Sequence, residues 1–270
     1  MLVYRMGTHM SQRHPEEVEE EATNFLNEVC TKVVGPHRDK RWIINMDQTL
    51  VYFTMNQKTT LNTVGARTVH VHTSTNDTKR ATVAVTITAS GHLLPAVTVF
   101  KGKPAGRIAK TEFATYPAGH FYACQKNAWM DEQVMLMWAE KVLKPYVETA
   151  PEHVIPLLIL DSYRCHMMAS VVQAIQEMGV EVIHIPGGCT CLCQPVDIGF
   201  NKPFKVQMRN EWTAWMLFEG LLNGENGKTI APSRLQITQW VTSVYAHMMT
   251  ASMEIIKNAW LKSGFEWFKD

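Results

Sequence analysis

The segment VIPLLILD at 154–161 sets the tightest limit on what this chain can fold into. It is an almost unbroken apolar run, as expected of a strand buried on both faces. Residues 166–178 follow with Met168, Val171, Val172 and Ile175 at helical spacing, and Gly179 stands where a helix ends in the left-handed conformation. Val180–Ile185 then returns to strand-forming residues. A strand, a helix and a strand in that order make a parallel pair joined by a right-handed crossover. The chain is therefore α/β, and in such sheets ligands bind beyond the carboxyl ends of the strands. Asp161 closes the run at that end.

Two further aspartates hold comparable places. Asp47 closes the run RWIINMD, and Asp197 stands in QPVDIGFNKPFK, with 35 residues between Asp161 and Asp197. Taken singly, each reads more readily as a turn former or a helix N-cap. Together they are carboxylates delivered from separate elements, which a paired-metal phosphodiester site requires. Two cations about 3.5–4 Å apart repel strongly unless several oxygen anions converge on them. Mg²⁺ keeps several waters and is usually held by one or two carboxylates plus substrate phosphate. Three aspartates thus suffice for a site that is completed when nucleic acid arrives.

The rest of the chain divides by pattern. Pro15 and the glutamates after it start a helix whose apolar face, Val18, Ala22, Phe25 and Val29, runs to about Cys30. Arg41–Met46 reads as a strand, with short β pieces around Thr49–Met55 and Thr68–His72. Ala81–Ala89 alternates, Ser90-Gly91-His92 turns, and Leu94–Phe100 returns as a hairpin. Residues 102–119 read as a basic, irregular loop without P-loop spacing, so no nucleotide cofactor is expected. Asn127 is a fair N-cap for a helix to Leu143, ended or kinked by Pro145, with Met130, Val134, Met137 and Trp138 inward. A long helix is expected from about 202 to 222, a linker at 223–228, and two helices over 233–263.

These phrases resemble the catalytic domain of pogo/Tigger/jerky-type transposases, within the DDE superfamily of endonucleases. The likeness rests on NMDQT (45–49), GART (65–68), the run 80–103, NAWMDEQVMLMWAEKV (127–142), LLILDSYRCH (157–166) and IPGGCTCLCQPVDIGFNKPFK (185–205). Their order holds across roughly residues 40–265. The resemblance implies an α/β, RNase H-like mixed sheet flanked by helices, with a C-terminal helical extension. It implies that Asp47, Asp161 and Asp197 are catalytic metal ligands for two Mg²⁺ or Mn²⁺ ions, completed with DNA bound. Water and then a freed 3′-hydroxyl would attack a DNA phosphodiester in line. DNA is the implied partner, a homodimer is plausible for strand transfer, and the nucleus is the implied location. The implied domains are 1–39, a helical remnant of the linker to a DNA-binding module; 40–222, the catalytic domain; and 223–270, the helical extension. Two departures stand out: Gln48 replaces a frequent glutamate, and CTCLC (189–193) is unusually rich in cysteine.

Composition narrows the field further. Six cysteines in 270 residues are no secreted disulfide framework, and a reducing compartment is expected. No apolar run is long enough to span a membrane. The net charge of +1 is low for a DNA-binding protein, but the charges are clustered. Lys101, Lys103, Arg107 and Lys110 form one basic stretch, and Lys202, Lys205 and Arg209 another, either contacting phosphates or simply solvated. His166 and Gln194 are candidate supports beside the carboxylates, and Asn201 reads either as holding the loop or as touching DNA. Cysteines 189, 191 and 193 lack the paired spacing of a zinc site. For Trp129, Trp212 and Trp215, core burial fits better than base stacking. The competing function is a catalytically silent module that binds nucleic acid or protein.

Overall fold

The computed structural model describes residues 14–35, 37–55, 78–220, 230–251 and 253–265. The β piece expected at 68–72, the GART phrase, the whole 223–228 linker and the first 13 residues lie outside that set. Six strands form one mixed sheet: β1 (Ile43–Tyr52), β2 (Arg80–Thr88), β3 (Val97–Lys101), β4 (Phe121–Gln125), β5 (Leu157–Asp161) and β6 (Glu181–Ile185), in the order β4-β3-β2-β1-β5-β6. β1 pairs antiparallel with β2 and β2 with β3, while β4 joins β3, β5 joins β1 and β6 joins β5 in parallel.

The helices are α1 (Pro15–Val33), α2 (Arg107–Thr111), α3 (Glu132–Trp138), α4 (Lys144–Val147), α5 (Ala169–Gln176), α6 (Thr190–Cys193), α7 (Asn201–Trp215), α8 (Arg234–Ala251) and α9 (Met253–Lys262). The expected mixed sheet, its flanking helices and the helical C-terminal region are all present. Several local expectations require correction. Asp47 does not end its strand: β1 runs on five residues to Tyr52, because β2 pairs along its whole length. The segment 102–119 holds α2 and a 3₁₀ turn at Phe113–Thr115 rather than an irregular loop. Strand β4 carries no long apolar run and was invisible to periodicity. The third helix is capped by Asp131, whose carboxylate accepts from Val134 N at 3.0 Å, and not by Asn127. Ala128, at φ 57°, prevents the helix from extending back. A π-helical turn at Ala139–Leu143 then carries the chain through Pro145 into α4 without a break.

Strand periodicity sorts the side chains into two cores. Ile43, Val83, Val85, Ile87, Leu157 and Ile159 face α1, α7, α8 and α9. Ile44, Met46, Ala84, Leu158 and Leu160 face α3 and α5. In the second core the Trp138 indole N–H donates to Thr86 Oγ1 at 2.9 Å, so the largest side chain there is also satisfied. Helix α1 docks on the edge strand through Lys32 and Arg38, which both bind Glu181 of β6. The Arg234 guanidinium of α8 binds Glu112 at 2.6 Å and fastens the C-terminal helices to the β3–β4 connection.

Helix α9 presses on a π-helical turn at Val196–Phe200. A Cβ added at Gly199 would lie 2.3 Å from Ala259 Cβ and 2.4 Å from its Cα. Because the obstacle is backbone, Gly199→Ala should destabilise by about 1–3 kcal/mol. Thermal unfolding should show a drop of several degrees, while Gly187→Ala, with nothing within 4 Å of its Cβ, should change little. Equal melting of the two variants would refute the close packing of α9 on this turn.

Candidate active site

Register and periodicity bring two of the aspartates together. Ile43, Ile44 and Asn45 of β1 pair with Leu157, Leu158 and Ile159 of β5. Continued by two residues, that register sets Asp47 beside Asp161. Both share the strand face of Ile43 and Leu157, turned toward α7 and α9. Asp161 ends β5, at the carboxyl edge where parallel strands present ligands.

The third aspartate arrives on the same face by a separate route. After β6 the chain makes α6 and the π-helical turn that carries Asp197 into α7. Asn45, fully buried in β1, is the clamp. Its amide nitrogen donates to Ile159 O at 2.8 Å and to Gln194 Oε1 at 3.0 Å. Its Oδ1 accepts from Val196 N at 3.1 Å. Gln194 in turn donates to Met46 O at 3.4 Å. Asn201 Nδ2 donates to Asp197 Oδ1 at 2.7 Å. Gln194 and Asn201 are both buried, so they hold the turn and are not exposed contacts. Asn45 was not singled out in the sequence, although a lone amide within an apolar strand is a signal, since a buried amide needs partners.

The carboxyl groups of Asp197 and Asp161 both lie near enough to act on Asp47, Asp197 the more strongly. Burial, then the Asp197 charge, push the Asp47 carboxyl well above the usual carboxylate range. Asp161 behaves oppositely. Burial raises it, but the hydrogen bond from His166, and after it the Tyr163 N–H, hold it below the ordinary value. His166 is fully buried, and its Nδ1 donates to Asp161 Oδ1 at 2.5 Å. Gln48 Nε2 donates to His166 Nε2 at 2.8 Å, which leaves the Nδ1 proton for Asp161. Gln48 thus supports the histidine that supports the carboxylate.

Among the described residues no three His, Cys, Asp or Glu side chains are already gathered into a metal cage. The residues nevertheless fit a hard divalent cation. Carboxyl groups near one another need a proton or a cation between them, and every donor is oxygen. Asn201 Oδ1 is buried without a hydrogen-bond partner beside Asp197. His166 and Tyr163 N both use Oδ1 of Asp161 rather than Oδ2.

The remaining predicted residues are more scattered. Lys202, Lys205 and Arg209 are exposed along α7, just beyond Asp197. Lys101 ends β3 and lines a groove of about 500 Å³ with Lys79, Arg80 and Trp129, and Lys103 and Arg107 follow it on the surface. Trp212 and Trp215 are buried as expected, but Trp129 is 41% exposed, against the expectation of core burial. The left-handed Ala128 turns it outward. Cys189 and Cys193 are buried against α1, their sulfurs 3.6 Å from Val18 O and 4.0 Å from Ala22 O. Burial pushes the Cys165 thiol up to about 12, so it is protonated at neutral pH.

A family model described as DDE superfamily endonuclease matches residues 78–262, a span that includes Asp161 and Asp197 and begins after Asp47. Two relatives, from Mus musculus and Homo sapiens, are both named "Pogo transposable element with KRAB domain", and each is 24% identical over 254 residues. The matches cover 90% and 93% of this chain, which spans only 40% of the length of either relative. Among solved structures, the Mos1 mariner paired end complex with Mn aligns at TM-score 0.62 and 11% identity, over 99% of this chain and 65% of that one. The catalytic domain of Mos1 mariner transposase aligns at 0.52 and 11% identity, over 98% and 95%. At such identity the likeness concerns the fold, and it makes this sheet with its helices RNase H-like.

The raised Asp47 carboxyl has a consequence for stability. The folded chain keeps a proton that the unfolded chain releases above its ordinary value of 3.8. Without metal, stability should therefore fall as pH rises from about 4 toward the folded value. Asp47→Asn removes that penalty, so in EDTA the variant should be more stable than the wild type at pH 7. The gap should widen by up to about 1.4 kcal/mol per pH unit within the window. Urea unfolding from pH 4 to 8 measures it, and parallel pH profiles would refute the burial of Asp47 near Asp197.

Proposed function

The chain belongs to the DDE superfamily of endonucleases, and on that premise we propose that Asp47, Asp161 and Asp197 hold divalent cations for cleavage and strand transfer at DNA phosphodiesters. The observation that supports this reading is the β1–β5 register that sets Asp47 beside Asp161, with Asp197, on a third element, near enough to act on Asp47. Bound there, two Mg²⁺ or Mn²⁺ ions would supply the charge that activates an attacking oxygen and stabilises the leaving one.

The chain's own residues do the rest. Asn45 and Gln194 hold the turn of Asp197 against β1, so that Asp197 stays near Asp47 without rearrangement. Asn201 orients the Asp197 carboxylate. His166 keeps Asp161 anionic and fixes its plane, so that an oxygen can turn toward a ligand. Lys101, Lys103, Arg107, Lys202, Lys205 and Arg209 are the proposed phosphate contacts, with affinity that weakens as salt rises. DNA is the partner, a second copy would supply the second active site for strand transfer, and the nucleus is the setting. The domain limits 1–39, 40–222 and 223–270 belong to the same proposal. Among the described residues no helix is long and apolar enough to cross a membrane.

The competing reading is a catalytically silent module that binds nucleic acid or protein. The grip of His166 on Asp161, which occupies part of that carboxylate, favours it. Nicking of supercoiled plasmid with Mg²⁺ or Mn²⁺, against EDTA, separates the two. The active reading expects metal-dependent nicking by the wild type and at least a 100-fold loss in Asp161→Asn, with the fold intact by thermal melting. A folded wild type that nicks nothing, or an Asp161→Asn variant that cuts normally, would overturn it.

A further inference from the structure

One exposed aromatic cluster plays no part in the carboxylate chemistry. Trp129 and Tyr163 stack with ring centroids 6.3 Å apart and planes 28° from parallel, and both are substantially exposed, at 41% and 37%. The exposure of Trp129 is built in by the backbone. Its neighbours Ala128 and Met130 are each only 2% exposed. Ala128 holds a left-handed φ of 57°, unfavourable for a residue with a Cβ, and its carbonyl is tied by Thr82 Oγ1 at 2.5 Å. A strained turn therefore buries two small or flexible side chains and sends the largest one into solvent, the reverse of what burial alone would select.

The pair also sits in a particular place. The Arg80 guanidinium lies 5.3 Å from the Trp129 ring centroid, and Lys101 lines the same groove. On the other side the Tyr163 ring packs edge-on against His166 at 5.7 Å, and its backbone N–H binds Asp161. Flat aromatic surface, flanking cations and continuity with the carboxylates together match one chemistry: a nucleobase on the rings with its phosphates on the cations.

We propose that Trp129 and Tyr163 form a stacking platform for an unpaired DNA base next to the scissile phosphate, with Arg80 and Lys101 holding the adjoining backbone. The inference rests on the DNA-cleaving reading and adds to it that the strand is locally unstacked at the site. Bases inside a duplex are stacked on both faces already, so the platform rewards only single-stranded, gapped or opened DNA.

Fluorescence anisotropy in EDTA, where no cleavage occurs, tests this with three labelled probes: a single-stranded oligonucleotide, an intact duplex of equal length and a duplex with a short single-stranded gap. The wild type should prefer the single-stranded and gapped probes. Trp129→Ala should weaken binding to those two by about tenfold and to intact duplex by less than twofold, and Trp129→Phe should restore most of the loss. Thermal melting should be unchanged, since the side chain is exposed. Equal losses on all three probes, or none, would overturn the platform while leaving the nuclease reading intact. If the wild type binds no probe, the DNA reading itself fails and takes this inference with it.

Discussion

The parallel pairing of β1 with β5 is the constraint from which the site follows. A strand pair held in one register fixes not only which residues are neighbours but also which face each side chain takes, because the period is two. With Asn45 opposite Ile159, Asp47 falls beside Asp161 on the face of α7 and α9. A one-residue slip of β1 would send Asp47 to the face of Met135 and Trp138, away from Asp161. Asn45 reinforces the register by spending its amide on both the β5 backbone and the Asp197 turn. One buried amide thus couples the three elements that carry the aspartates.

The site is held at a cost to the folded state. Asp47 is 6% exposed and lies near the Asp197 charge, an arrangement that disfavours its ionised form. The surrounding structure sustains it. Nine residues of β1 lie along β2, two hydrophobic cores cover the sheet, and α9 packs so closely on the Asp197 turn that only glycine fits at position 199. The C-terminal helices therefore belong to the site as braces. Asp161 is stabilised differently, by a histidine whose other nitrogen is satisfied by Gln48. That bond gives a structural role to Gln48, one of the two positions where the sequence departs from the pattern of the family it resembles.

Much of this was legible beforehand. The apolar run into Asp161, the strand–helix–strand unit, the hairpin after it in space, and the two C-terminal helices each carry a strong local period or a turn signal, and each is present. The failures share a cause. Asp47 looked like the end of a strand because the polar residues after it resemble a turn, but pairing with β2 extends the strand through them. Strand β4 and the short α2 are held by tertiary contacts that outweigh weak local preference. Trp129 looked like core because large aromatic residues usually are, and only the left-handed turn at Ala128 sends it outward.

The sequence by itself determined the α/β class and the family, since these depend on residue type, spacing and order along the chain, and it supplied the three carboxylates of the proposed site. The tertiary structure decided which side chains share a face, how Asp197 is carried back to β1 by the Asn45 clamp, and which aromatic residues meet solvent. Those outcomes depend on contacts between residues more than a hundred positions apart, such as Asn45 with Ile159 and Gln48 with His166. No local period encodes them, because each partner's position is set by the packing of the elements between.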